Sequence, residues 1–142
     1  MYNFELVKPS NIADAVSALS AEGAQALGGG QTLIPTMKQR LASPDTLVSL
    51  SGIAEMQGVS SVGGSVTIGG ATTHADVAAA NAFAGLTTLA GNIGDPAVRN
   101  RGTIGGSLAN NDPAACYPAA ALATGATITT NARDIAADDY FQ

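Results

Sequence analysis

Tryptophan is absent from this 142-residue chain, aromatic residues amount to only 4%, and charged residues to only 12%. A hydrophobic core must therefore be assembled from Ala, Val, Leu and Ile. The 46% hydrophobic content is ample for one and excludes a disordered chain. Cys116 is the only cysteine, which rules out an intramolecular disulfide framework. His74 is the only histidine, so no tetrahedral zinc or iron–sulfur site is expected within the chain. Basic residues are also scarce, 6 against 11 acidic ones, for a formal net charge of −5. Nucleic-acid binding needs clustered Lys and Arg to neutralise phosphate, and a polybasic membrane contact needs the same. Neither partner is expected. The first twenty residues carry Glu5, Lys8 and Asp14 and lack an unbroken apolar run. Neither a signal peptide nor a spanning helix is therefore expected, and the expected compartment is the cytoplasm.

Glycine is what the chain has in excess. There are 17 among 142 residues, against a usual share of roughly 7%. They cluster at Gly28-Gly29-Gly30, Gly63-Gly64, Gly69-Gly70 and Gly105-Gly106, without period. Such clusters belong where the backbone takes a positive φ or where another molecule comes close.

Around them a coarse order of elements is legible. A strand at residues 4–7 precedes a helix capped by Ser10, bearing Ile12, Ala15, Val16 and Leu19 at helical spacing and ended by Gly23. A strand at 24–27 runs into the first glycine cluster, a helix follows at 33–41, and a third strand lies at 47–50. These fifty residues read as a small parallel α/β unit. Two short strands flank Gly63-Gly64 as a hairpin. Thr73 and Asp76 then resemble a capping box, opening an Ala-rich helix from about 76 to 91. Residues 92–113 show no clean period and read as an ordered loop with a short strand. A helix at 118–124 and strands at 127–129 and 134–136 follow, and Asp138-Asp139 reads as a solvated turn. The expected lobes are 1–55, a small α/β lobe, and 56–142, a larger α+β lobe, with the boundary between residues 51 and 58.

Two segments have the makings of a site. Gly28, Gly29, Gly30, Gln31, Thr32 and Leu33 lie between a strand and a helix start. Consecutive backbone N–H groups exposed there would cradle a phosphate or pyrophosphate. Gln31 stands where a P-loop requires Lys, and Leu33 where a dinucleotide fingerprint requires its third Gly. A merely structural turn stays open as the alternative. The second segment spans residues 93–110, with Gly94, Arg99, Arg101, Thr103, Ile104, Gly105, Gly106, Ser107 and Asn110. Its hydroxyls and amides could bond phosphate or ribityl oxygens, or could satisfy one another in a tight corner. Together the two loops would grip a pyrophosphate in a dry cleft with little lysine.

The run 28–38, Gly-Gly-Gly-Gln-Thr-Leu-Ile-Pro-Thr-Met-Lys, resembles the first FAD loop of the molybdopterin-dehydrogenase flavoprotein family. The run 93–117, with Asp95-Pro96, Arg99-Asn100-Arg101-Gly102-Thr103-Ile104-Gly105-Gly106-Ser107 and Asp112-Pro113-Ala114-Ala115, resembles its second. The family includes medium subunits of carbon monoxide dehydrogenase and the FAD domain of xanthine dehydrogenase. The resemblance implies a vanillyl-alcohol-oxidase-type (PCMH-type) FAD-binding domain of α+β class, a small α/β lobe plus a larger mixed lobe with FAD between them. It implies that Gly28, Gly29, Gly30, Gln31, Thr32 and Leu33 bind the FAD pyrophosphate. Thr103, Ile104, Gly105, Gly106 and Ser107 would contact pyrophosphate and ribityl, with Gly94 and Asn110 along the same cofactor. It further implies an electron-transfer component rather than a complete enzyme. Electrons would come from [2Fe-2S] clusters of a small partner subunit, fed by a molybdopterin-containing large subunit, and pass through FAD to an external acceptor. The implied assembly is a heterotrimer or a dimer of heterotrimers.

Two departures bear on this. Cys116 replaces the Asp that many relatives carry after Asp-Pro-Ala-Ala, removing a carboxylate contact to the ribityl chain. The chain also ends at Tyr140-Phe141-Gln142, about half the family length, so a carboxy-terminal truncation is expected. The competing reading is a truncated or degenerate scaffold that keeps the fold and partner contacts without flavin. Among single residues, His74 reads as structural or solvent-facing and Cys116 as a small, partly buried side chain. Arg99 and Arg101 could bridge local carboxylates or face a partner or cofactor.

Overall fold

A computed structural model describes residues 1–141; Gln142, the last residue of the second expected lobe, lies outside them. The amino-terminal third is a parallel sheet of β1 (Glu5–Val7), β3 (Thr46–Ser49) and β2 (Ala24–Leu27), with β3 in the middle. The central strand is the most buried of the three, with Leu47 and Val48 fully enclosed. Helix α1 (Ile12–Leu19) lays Ala15 onto Val48 and Ile53. Its cap is Asn11, not Ser10 as expected: Asn11 has the extended backbone and accepts from the Asp14 N–H at 2.8 Å, while its amide donates to the Asp14 carboxylate at 2.8 Å. This reciprocal pair satisfies two groups where a Ser at residue 10 would satisfy one. The helix also ends before Gly23, at a Ser20 C-cap. Gly23 instead turns the chain into β2, its carbonyl accepting from the Asp45 and Thr46 amides.

Helix α2 (Leu33–Lys38) is shorter than expected, because Arg40 takes a left-handed conformation, φ 61°, and ends it. A 3-10 turn at Ala54–Met56 leads to the hairpin of β4 (Val59–Val62) and β5 (Ser65–Ile68). Gly63 and Gly64 both have positive φ, as a two-residue hairpin turn requires.

The expected single helix across 76–91 is two: α3 (His74–Ala80) and α4 (Ala84–Gly91). Asn81, at φ 49°, closes the first; Asn tolerates this conformation better than Ala, so it stops an alanine-rich run. Residues 92–113 are likewise not a loop with a strand. They hold α5 (Pro96–Arg99) and α6 (Ile104–Asn110), each opened by a true cap, Asp95 on the Val98 N–H and Thr103 on the Gly106 N–H. The glycines masked the second helix, and the only β pairing there is an isolated Thr73–Thr103 bridge. Helix α7 (Tyr117–Ala123), the strand pair β6 (Thr127–Thr129) and β7 (Asp134–Ala136), and α8 (Ala137–Tyr140) follow. Asp138 and Asp139 are exposed, but in the first turn of α8.

Two clusters form the interior. One gathers Ala15, Val48 and Ile53 beneath α1; the other gathers Val77, Leu86, Ala90, Ile104 and Tyr117 from α3, α4, α6 and α7. No helix among the described residues is long and apolar enough to cross a membrane.

Candidate functional site

The two glycine bends meet. The first leaves the end of β2, the second enters α6, and their backbones touch. Each glycine of the first bend is required for a different reason. A Cβ on Gly28 would lie 3.0 Å from the Thr103 hydroxyl. One on Gly29 would run into the Arg101 carbonyl and lie 2.5 Å from the Gly102 Cα. Gly30 has φ +71°, which side-chain-bearing residues rarely adopt. The second bend is packed just as closely. A Cβ on Gly105 would sit 2.5 Å from the Gly70 carbonyl oxygen, and one on Gly102 would sit 2.5 Å from Nε2 of His74.

An open cleft of about 510 Å³ lies along this junction, lined by Gly28, Gly29, Ser51, Gln57, Thr72, Thr73, Asp76, Asn100, Arg101 and Thr103 among others. A second hollow of about 290 Å³ continues from it past Gly28, Gly29 and Gly30 to Lys8, Leu27, Ile34 and Ser49. Gly28, Gly29, Ser51 and Arg101 belong to both, so the two form one trough. Its size is that of a small-molecule or cofactor site.

Hydrogen bonding makes the two bends unequal. None of the backbone N–H groups of residues 28–33 donates to an acceptor within the described residues. The second bend, Thr103 N–H apart, has spent its own amides. Ile104 N–H donates to the Thr72 carbonyl at 3.1 Å and Gly105 N–H to the Gly70 carbonyl at 2.9 Å. Gly106 N–H donates to the Thr103 hydroxyl at 3.1 Å and Ser107 N–H to the Thr103 carbonyl at 3.0 Å. The first bend thus brings free main-chain donors to the trough, and the second brings side chains, Asn100, Arg101 and Thr103.

Of the residues singled out from sequence, Gly28, Gly29, Gly30 and Thr103 line the trough. Gln31, Thr32 and Leu33 continue the free-amide run; the Gln31 side chain folds back to donate to the Gly29 carbonyl at 3.1 Å. Ile104 is buried in the second core cluster, and Gly105 abuts Gly70. Gly106, Ser107, Asn110 and Gly94 line neither hollow. Among the described residues Arg99 bridges no carboxylate. It donates to the Ile93 and Gly94 carbonyls at 3.1 and 2.9 Å, clamping the turn before α5. Cys116 is exposed rather than partly buried, at the amino end of α7.

Lys8, Ser51, Gln57, Thr72, Thr73, Asp76 and Asn100 were not anticipated as lining residues. Thr73 and Asp76 carried a signal, but one that spoke only of helix capping. Thr73 does cap α3, its hydroxyl accepting from the Asp76 N–H at 3.2 Å and donating to the Asp76 carboxylate at 2.6 Å. The bridge to Thr103 then sets the caps of α3 and α6 side by side on the trough wall.

Behind that wall His74 is buried and shares a 3.1 Å hydrogen bond between Nδ1 and the Tyr117 hydroxyl. Burial lowers the His74 pKa from its ordinary value of 6.5, holding the ring neutral at physiological pH. Burial also raises the Tyr117 pKa, with Cys116 beside it adding to the effect.

Residues 2–142 match the family model described as the FAD-binding domain in molybdopterin dehydrogenase. The chain is 41% identical over 150 residues to the carbon monoxide dehydrogenase medium chain of Afipia carboxidovorans, covering 99% of this chain and 52% of that protein. It is 37% identical over 142 residues to the nicotine 6-hydroxylase medium subunit of Paenarthrobacter nicotinovorans, covering 94% of this chain and 50% of that one. A solved structure of carbon monoxide dehydrogenase from Hydrogenophaga pseudoflava superposes with a TM-score of 0.92 at 35% identity, covering 99% of this chain and 53% of that chain. The chain spans about half the length of the curated relatives it matches. With the α+β architecture and the glycine-bend trough in hand, this chain belongs to the family of FAD-binding domains of molybdopterin dehydrogenases, whose cofactor is FAD.

Proposed function

We propose that this chain is the FAD-binding part of the medium, flavoprotein subunit of a molybdenum hydroxylase or dehydrogenase. It would carry electrons from the [2Fe-2S] clusters of a small partner subunit to an external acceptor. A molybdopterin-containing large subunit would feed those clusters, in a heterotrimer or a dimer of such trimers. Residues 1–55 and 56–142 act as the two lobes flanking the cofactor.

The observation that carries this reading is the run of unpaired N–H groups at residues 28–33, opening on a trough that a Cβ at Gly28 would narrow. Unpaired amides are costly when removed from water, and a diphosphate satisfies several of them at once. Arg101 and Lys8 add positive charge on the same side, which offsets the chain's net negative balance where an anion must sit. The hydroxyl and amide groups of Ser51, Gln57, Thr73 and Asn100, with the Asp76 carboxylate, suit the polyol and ribose portions of a dinucleotide. The redox chemistry is supplied by bound FAD; the protein contributes position, exclusion of water and local charge. Gly94, Gly105, Gly106, Ser107 and Asn110 line neither hollow, so a contact of theirs with FAD is proposed on the family resemblance and not on the trough; Ile104 anchors α6 in the core behind it.

The test is flavin content. Purified protein is expected to be yellow and to take up FAD to one equivalent per chain. A colourless preparation that ignores added FAD throughout a titration would overturn the reading and favour the scaffold alternative.

A further inference from the structure

The wall of the trough is supported by a pair that the cofactor reading does not use. His74 grips the second bend in two ways: its backbone N–H donates to the Gly102 carbonyl at 2.9 Å, and its ring lies so close to the Gly102 Cα that no Cβ fits between. Its Nδ1 is tied to the Tyr117 hydroxyl, and the two rings are tilted by 42° with centroids 5.3 Å apart. Tyr117 is 1% exposed and His74 5%, so neither ring has room to swing away. Gly102 is followed by Thr103, whose hydroxyl faces Gly28, and preceded by Arg101, whose carbonyl faces Gly29. A continuous line of contacts therefore runs from α7 through Tyr117, His74 and Gly102 to the free-amide bend.

We infer that His74 is a positioning residue: backed by Tyr117, its ring fixes residues 101–103 at the distance from residues 28–30 that lets the trough admit a dinucleotide. The inference rests on the FAD reading above and adds to it the part that sets the trough's width. A ring so held acts as a spacer of fixed size. Removing it lets the second bend sink toward α3, and adding a methyl group in front of it pushes that bend toward the first.

A size-exchange cycle tests this, with FAD affinity measured beside apo thermal stability at a temperature where every variant is folded. Asn at residue 74 keeps a donor or acceptor near the Tyr117 hydroxyl but withdraws the edge that meets Gly102. His74→Asn and Gly102→Ala are each expected to weaken FAD binding by about tenfold, while the double variant, with the methyl filling the vacated space, returns to within about threefold of the parent. Tyr117→Phe, a milder change, is expected to weaken binding by about threefold. If the parent binds no FAD, the cofactor reading itself fails. If the parent binds and the variants bind equally well, or the two losses simply add in the double variant, the spacer role is overturned and the pair is merely structural.

Discussion

Gly29→Ala is the sharpest single perturbation the structure offers. The added Cβ would run into the Arg101 carbonyl oxygen, lie 2.5 Å from the Gly102 Cα and lie 2.6 Å from the Arg101 carbonyl carbon. Ordinary carbon contacts are roughly 3.5–4.0 Å, so the two bends must part by about 1 Å. All three obstacles are backbone, and Gly102 cannot retreat because the His74 ring lies behind it. The cost belongs at the upper end of overpacking, about 3 kcal/mol, which for a domain of this size lowers Tm by about 10 °C. Separating the bends also displaces the free amides from the diphosphate. Hydrogen bonds to a charged group contribute about 1.5–3 kcal/mol each, so affinity for FAD falls at least about tenfold. Gly28→Ala is the informative companion. Its Cβ meets a hydroxyl at 3.0 Å and beyond that only the Gly106 Cα at an ordinary 3.9 Å, so apo stability drops by about 1 kcal/mol or less while the methyl enters the trough and affinity falls by a similar factor. Differential scanning calorimetry of the apo proteins and FAD titration by flavin fluorescence separate the two effects. A Gly29→Ala protein with parental Tm and parental affinity would refute the contact between the bends.

Arg101→Gln removes the cation shared by both hollows, and is expected to weaken FAD binding roughly three- to tenfold and to flatten its salt dependence; equal salt slopes for parent and variant would count against a phosphate contact there. His74 makes stability depend on pH. Unfolded, it takes its proton near 6.5; folded, it does so only at lower pH because it is buried. Below pH 6.5 the unfolded state therefore binds more protons, and stability falls as pH drops between the two values, with a slope of up to about 1.4 kcal/mol per pH unit and no contribution above 6.5. Urea unfolding at several pH values, parent against His74→Asn, should show this extra slope in the parent alone. Asn11→Ala deletes the α1 cap and its return bond to Asp14. It is expected to cost about 1 kcal/mol of stability and leave FAD affinity unchanged, since the cap lies outside the trough.

Much of the architecture was legible in the residues. Alternation and glycine punctuation located β2, the hairpin and the last two strands, and residue order alone implied a parallel amino-terminal sheet. Helix boundaries were less legible where capping competed. Asn11 outdid Ser10 because its side chain both accepts from and donates to Asp14, a reciprocity invisible until the turn is built. Asn81 broke an alanine-rich run through a single left-handed residue. The helix at 104–110 hid behind Gly105 and Gly106, which in the sequence read as loop glycines. Gly105 is glycine because the Gly70 carbonyl packs against it. The site shows the same limit. The glycine bends announce themselves, but the inequality between them does not, because it depends on which amides at the start of α6 are taken by the Gly70 and Thr72 carbonyls and by the Thr103 cap. Nor do Lys8, Gln57 and Asp76 announce a role, since they reach the trough only through long-range packing.

That the unpaired amides of residues 28–33 receive the diphosphate of FAD is tested most directly by amide-resolved NMR on titration with FAD. Resonances of residues 28–33 are expected to shift strongly, those of residues 104–107 more weakly because their protons are already engaged. FAD binding that leaves residues 28–33 unmoved would contradict it.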